Sequence, residues 1–399
     1  MKLRLVAVAL LLACLGAAPA AGPAVANPNV GANDPSPIAK AKLYVDLVDQ
    51  PSLKAFVKAF YEGRTEDAKN LRKIARHSIF RWIGKTDENP QRAASKFLAR
   101  VQREQPGAVA GITVLNHVGE RCKGRYDAGG RRENRRYRSW IDGFVRGLGN
   151  ARVIVGFEPD SLGTLKCLVP AARRARLSNM KYGIDKLAKL PNATVYIEAT
   201  ASDWRPAREV ARYLRAVNIR KVRGFMLNVT HLDYTSRNVR YGQRLSKLVG
   251  GKNFVVNTDE NGSGRQTYRK FNRRTRKFDF FLVSCNPTNS SLGHPPTTTR
   301  DLRGNALPNK VDGYLWISRP AASAGSCRQY PGRYAMRGGP NAGTFWLIRG
   351  GALYELLPAK RAGPPQAQAS SGGAPSGTFG VRGTRTADGP TPCRQLRSR

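Results

Sequence analysis

The sequence predicts an α/β fold built on a parallel sheet, and three observations carry that expectation. Short apolar runs rich in β-branched residues alternate with longer amphipathic stretches of helical period, which is the rhythm of β-α-β units. The chain has 399 residues of 41% hydrophobic content, enough to bury one large domain or two smaller ones. Carboxylate and asparagine residues stand just beyond successive apolar runs, where a parallel fold gathers its functional groups.

From the amino terminus, a basic start at Lys2 and Arg4 leads into an apolar run from Leu5 to Leu15. It is too short to span a bilayer but suits a signal peptide over residues 1–26, so export is expected. Two outcomes stay open: cleavage after Ala24-Val25-Ala26 releases the protein, whereas Leu11-Leu12-Ala13-Cys14 resembles a lipidation box that anchors it through Cys14. A linker rich in Pro, Ala, Asn and Gly fills residues 27–40, and the folded domain is expected over 41–357.

Within that domain the strand candidates are Lys42 to Val45, Val109 to Leu115, Val153 to Phe157, Thr194 to Ile197, Gly224 to Leu227, Asn253 to Val256, Phe278 to Val283 and Gly313 to Ile317. Helix candidates lie between many of them, at Ser139 to Leu148, Asn179 to Leu190, Pro206 to Val217 and Asn238 to Leu248. Parallel strands with crossover helices close into a barrel or open into a doubly wound sheet, and spacing alone does not choose. Residues 358–399 turn to Pro, Gly, Ala, Ser and Gln with scattered Arg, a composition that buries no core, so a disordered basic tail carrying Cys393 is expected.

A net charge of +41, from 68 Lys and Arg against 27 Asp and Glu, raises the question of an anionic partner. The excess is spread along the chain, with local clusters at Arg131 to Arg138 and Arg269 to Lys277, and solvated basic faces account for it without a specific nucleic acid. Export makes Cys122, Cys167, Cys285, Cys327 and Cys393 disulfide candidates, and no Cys-x-x-Cys spacing suggests a metal site. The four histidines, His77, His117, His231 and His294, lack the spacing of a helix-borne metal pair. Nucleophile-elbow, Walker and dinucleotide signatures are missing as well.

The strand ends carry Asp46, then Asn116, His117 and Glu120, then Glu158 and Asp160, then Glu198, Asn228, Asn257 with Asp259 and Glu260, and Asn286. In so basic a chain this spacing suggests a mouth lined with carboxylates. Glycoside hydrolysis calls for such a mouth: one carboxyl group donates a proton to the leaving oxygen while a second charged group activates water or stabilises the transition state. The alternative is a set of ion pairs to the abundant arginines.

The run Glu158-Pro159-Asp160-Ser161-Leu162-Gly163 after an apolar strand resembles the Glu-Pro-Asp-Ser/Ala-Leu motif of the family 6 glycoside hydrolases, the cellulase family. The likeness extends in order through Leu43 to Asp46, Trp82-Ile83-Gly84, Trp140-Ile141-Asp142, Leu227-Asn228-Val229, Asn261 to Gly264, Cys285-Asn286-Pro287 and Tyr314 to Ile317. It implies a distorted parallel (β/α) barrel, inverting hydrolysis of β-1,4-glucans with Asp160 as acid, disulfides pairing Cys122 with Cys167 and Cys285 with Cys327, and no metal or organic cofactor. A monomer acting on a polysaccharide is expected, with Trp82, Trp204, Asn228 and Asn286 near the sugar.

The chain also departs from the family pattern. Where the family usually reads Val-Tyr-Asn-x-Pro-x-Arg-Asp-Cys, this chain runs Val114 to Cys122 with Leu115 for the Tyr and Glu120-Arg121 for the Arg-Asp pair. Glu120 is therefore the candidate for that Asp's tasks, control of the acid's pKa and organisation of the water. Glu198 to Trp204 keeps a carboxylate and the Trp of the next motif but not its His. Ser284 replaces a stacking platform, and Ser318, Ala322 and Ala324 replace a Lys, a Glu and the Asp often proposed as base. A carbohydrate-binding or cell-wall protein that kept the barrel and lost the hydrolytic machinery is the second expectation.

Overall fold

The computed structural model describes residues 36–117 and 130–347. The expected signal peptide, the whole of the expected tail, Glu120, Cys122 and Cys393 lie outside them. The elements in chain order are α1 (Pro51–Tyr61), α2 (Thr65–Ala75), β1 (Arg81–Gly84), α3 (Pro90–Glu104), β2 (Ala110–Leu115), α4 (Arg131–Leu148), β3 (Val153–Phe157), α5 (Pro170–Leu187), β4 (Ala193–Glu198), α6 (Ala207–Ala216), β5 (Gly224–Leu227), α7 (Thr235–Leu248), β6 (Asn253–Asn257), β7 (Thr267–Asn272), β8 (Lys277–Leu282) and β9 (Val311–Leu315). Among the described residues no helix is long and apolar enough to cross a membrane.

Seven strands form one sheet in the order β1-β2-β3-β4-β5-β6-β9, every neighbouring pair parallel. Strands β3 to β6 and β9 are buried along their whole length. Burial on both faces is why they read as nearly continuous apolar runs rather than as alternating ones. The helices supply the outer cover. Asn89 caps α3 by accepting from Arg92 N, Pro90 occupies its first turn, and Phe97, Leu98 and Val101 turn inward. In α4, Tyr137, Ile141, Phe144 and Leu148 recur at helical spacing on the buried face. Alternate side chains point the other way, where Ile154, Tyr196, Met226, Val255 and Ile317 form a separate inner cluster.

The sheet does not close through a ladder. Between β1 and β9 the links are Phe80 N to Trp316 O at 3.0 Å, and Trp82 Nε1 to Ile317 O at 2.9 Å. Thr113 Oγ1 donates to the same Ile317 carbonyl at 2.9 Å. Near the amino-terminal ends of β6 and β9 lies a buried polar knot. Arg223 grips Asp312 with two bonds of 2.8 and 2.9 Å, and Tyr196 and Asn253 donate to the same carboxylate at 2.7 and 2.8 Å. Gly224 is obligatory beside it, since a Cβ there would sit 1.7 Å from Asn253 O.

Two strand expectations are corrected. Lys42 to Val45 is no sheet strand: Leu43 makes a single bridge to Val109, and the chain then turns as Asp46 accepts from the amides of Val48 and Asp49. Phe278 to Val283 is not part of the barrel either; β8 pairs antiparallel with β7 in a separate hairpin, and Phe278 and Phe280 are exposed. Conversely, β1 supplies an edge strand where none was expected, because Arg81-Trp82-Ile83-Gly84 is too short and too polar to announce itself.

Candidate active site

The run after β3 turns sharply, with Glu158 at φ 58° and Asp160 at φ 65°. Such left-handed conformations are uncommon for residues with a Cβ and are held only where surrounding contacts enforce them. Glu158 is fully buried and accepts from the amides of Asn116 and His117, from His117 Nδ1 at 2.9 Å and from Tyr137 Oη at 2.8 Å. Ser161 Oγ donates to Glu158 O at 2.7 Å and completes the turn. Glu158 thus locks the end of β2 to the end of β3. That lock leaves Asp160 half-buried, with Oδ1 accepting from the exposed hydroxyl of Thr230 at 2.5 Å.

Glu198, at the end of β4, is buried and accepts from Leu162 N at 3.0 Å and Thr200 N at 2.5 Å. Burial, reinforced by the nearby charge of Asp160, pushes its carboxyl up to about 8, against the opposing pull of those backbone donors. At neutral pH Glu198 therefore carries a proton beside Asp160.

Asp203 and His231 form the next layer, with Nδ1 2.9 Å from Asp203 Oδ1. Burial acts against the Asp203 charge, but His231 and then Arg265 outweigh it and hold the carboxyl below its ordinary value. His231 stacks on Trp204 with ring centroids 4.6 Å apart, and Gly163 packs so tightly against the same indole that a Cβ would fall 2.2 Å from it. Sequence reasoning passed over Thr230, His231 and Asp203. Thr230 and His231 lie three and four residues past the end of β5, so the strand-end rule that picked out Asn228 reaches them too.

Other expected site residues have definite places. Trp82 is half-buried, and the Arg319 guanidinium lies 5.4 Å from its ring centroid. Asn228 is buried with its amide committed to Asp233 and Asn257 main-chain groups, and Asn286 spends its amide on Ala324 N and Gly325 O. Asp46 is bound to Arg100 of α3 at 2.6 Å, an ion pair of the kind the basic composition offers. Asp259 accepts from Asn257 and Ser318, at 2.6 and 2.5 Å, and its carboxyl is raised by burial and by the charge of Glu260. Cys285 and Cys327 are joined by a disulfide; Cys167 is disulfide-bonded too, and Cys122 lies outside the described residues.

Asp160, half-buried, and Glu198, buried, therefore stand at the neighbouring ends of β3 and β4, with Asp203, Thr230 and His231 on the loops beside them. The family model for glycosyl hydrolases family 6 matches residues 38–351. Endoglucanase A of Cellulomonas fimi is 29% identical over 309 residues, covering 76% of this chain and 58% of that protein. Endoglucanase 1 of Streptomyces halstedii is 29% identical over 263 residues, 64% of this chain and 73% of that one. The chain thus spans little more than half the length of the first of these relatives. Among solved structures, the endoglucanase Cel6 of Mycobacterium tuberculosis superposes with a TM-score of 0.65 at 29% identity, covering 79% of this chain and 97% of that one. An Orpinomyces enzyme, at 19% identity and a TM-score of 0.62, shares the fold. The seven-stranded sheet is the distorted barrel of these proteins.

Proposed function

Because the chain belongs to glycosyl hydrolases family 6, we propose that it is an exported enzyme that cleaves β-1,4-glucan or a related polysaccharide with inversion, Asp160 acting as general acid. The observation that carries this reading is the half-buried Asp160 carboxyl, held by Thr230 at the end of β3 next to the buried Glu198 carboxyl at the end of β4. Asp160 protonates the leaving oxygen, and Thr230 fixes its rotamer through a hydrogen bond to the oxygen that does not donate. As general acid Asp160 must itself carry the proton it delivers, and Glu198 is the neighbouring group that holds one to pass to it. Glu120 or Glu198 assists with the water; an inverting pair needs about 6.5–9.5 Å between carboxyl groups to admit one. Trp82 supplies a sugar platform, and Trp204 offers a sugar only what His231 and Gly163 leave open of its ring.

A second reading, a carbohydrate-binding protein without hydrolysis, is favoured by one feature. Ser318, Ala322 and Ala324 put no carboxylate beyond β9, and Ser318 instead donates to Asp259. Release of reducing ends from β-1,4-glucan by the purified chain separates the two. General acid catalysis is worth about 10²–10⁴-fold, so Asp160→Asn is expected to lose that much rate while still binding the polymer. Binding by both proteins with release by neither establishes the second reading.

A further inference from the structure

The β7–β8 hairpin stands outside the barrel, and its two faces differ. Antiparallel partners share a face, so Tyr268 with Phe281 lies on one side, while Arg269 with Phe280 and Phe271 with Phe278 lie on the other. The first side is packed: Tyr268 stacks on Phe281 at 5.1 Å and on Tyr334 at 5.2 Å, over the small core around the Cys285–Cys327 bridge. The second side is open to solvent, with Phe271 and Phe278 each 49% exposed and Phe280 67% exposed.

The connecting turn is cationic. Arg273, Arg274 and Arg276 in the turn, with Arg269, Lys270 and Lys277 on the strands beside it, stand against a single acid in the hairpin, Asp279, which is bonded to Asn272. Among the described residues, none of these six cations has an ion-pair partner.

We infer that this hairpin docks the protein on an anionic lipid bilayer. Three phenyl rings without a polar handle next to a cluster of Arg and Lys is the chemistry of the headgroup boundary, where hydrocarbon enters and cations meet phosphate. A polymer that stacks its bases or sugars needs free ring faces. Here Phe271 and Phe278 meet edge to face at 5.3 Å, and the Arg269 guanidinium lies 4.8 Å from the Phe278 centroid. Those two rings offer bulk hydrocarbon rather than open platforms, and Phe280, 67% exposed, adds a third apolar ring beside them. The root of the hairpin leads four residues on to Asn286, which is bonded to Ala324 and Gly325 beyond β9. Docking therefore holds the mouth of the barrel close to the surface, whatever chemistry the mouth performs.

Co-sedimentation of the full chain with vesicles tests this. The chain is expected to sediment with phosphatidylcholine vesicles that contain phosphatidylglycerol and to stay in solution with phosphatidylcholine alone. The triple change Phe271→Ser, Phe278→Ser, Phe280→Ser and, separately, Arg273→Gln, Arg274→Gln, Arg276→Gln should each weaken sedimentation about tenfold or more. Because these side chains lie outside the core, both variants should keep the parent's melting temperature. Equal binding to both vesicle types, no vesicle binding at all, or loss through the arginine changes alone overturns the proposal. So does tighter binding of the hairpin to a single-stranded oligonucleotide or to soluble carboxymethylcellulose than to vesicles.

Discussion

Two carboxylates separated by one proline take opposite fates. Glu158 is sunk among four donors and holds two strand ends together, and Asp160 is turned outward by that same knot. Holding non-glycine residues at positive φ costs on the order of 1–3 kcal/mol each, which the bonds to Glu158 offset. Glu198 makes a pH prediction. Its carboxyl is raised from an ordinary 4.5 to about 8, so between those values the folded state binds more protons than the unfolded chain. Its contribution is fully present below pH 4.5 and is lost as pH rises through 8, on the order of 5 kcal/mol in all. Asp259, raised by burial and by Glu260, pulls the same way. Urea unfolding at pH 5 and pH 8.5 should show Glu198→Gln gaining on the parent at the higher pH. An unchanged gap between the two proteins means that Glu198 does not titrate in this range.

At the scale of elements, legibility followed burial. β3 and β5 were readable to the residue, because Val153 to Phe157 and Gly224 to Leu227 are buried on both faces and end at polar turns. β8 was misplaced because Phe278 to Val283 looks apolar, yet its phenylalanines face solvent rather than a core. Strand ends made Asp160 and Glu198 visible. The Asp203–His231 contact joins loops 28 residues apart without any periodic pattern, so no local signal announces it. The knot around Asp312 is the structural counterpart of the mouth, sitting at the other end of the strands, where barrels keep stability apart from chemistry. Asp312→Ala leaves Arg223 buried without its carboxylate and is expected to cost about 3–5 kcal/mol in urea unfolding. Tyr196→Phe, which removes one donor, should cost about 1 kcal/mol. Equal costs would mean that the carboxylate is not the hub.

The whole molecule is a sheet curled until its edges nearly meet, with a seam of one backbone bond from Phe80 and two side-chain struts, Trp82 of β1 and Thr113 of β2, reaching the chain just past β9. Everywhere else a ladder joins the neighbours. Amide exchange should therefore be faster at Phe80 and along β1 than in β3 and β4, by about a hundredfold or more, and Trp82→Phe should widen the difference. Protection of β1 equal to that of β3 would remove the seam from the description. A ladder admits only whole-residue changes of register, whereas struts made of side chains can be lengthened or shortened one substitution at a time. The circumference of this barrel is thus a quantity that positions 82 and 113 can tune one side chain at a time, like the screw on a split collar.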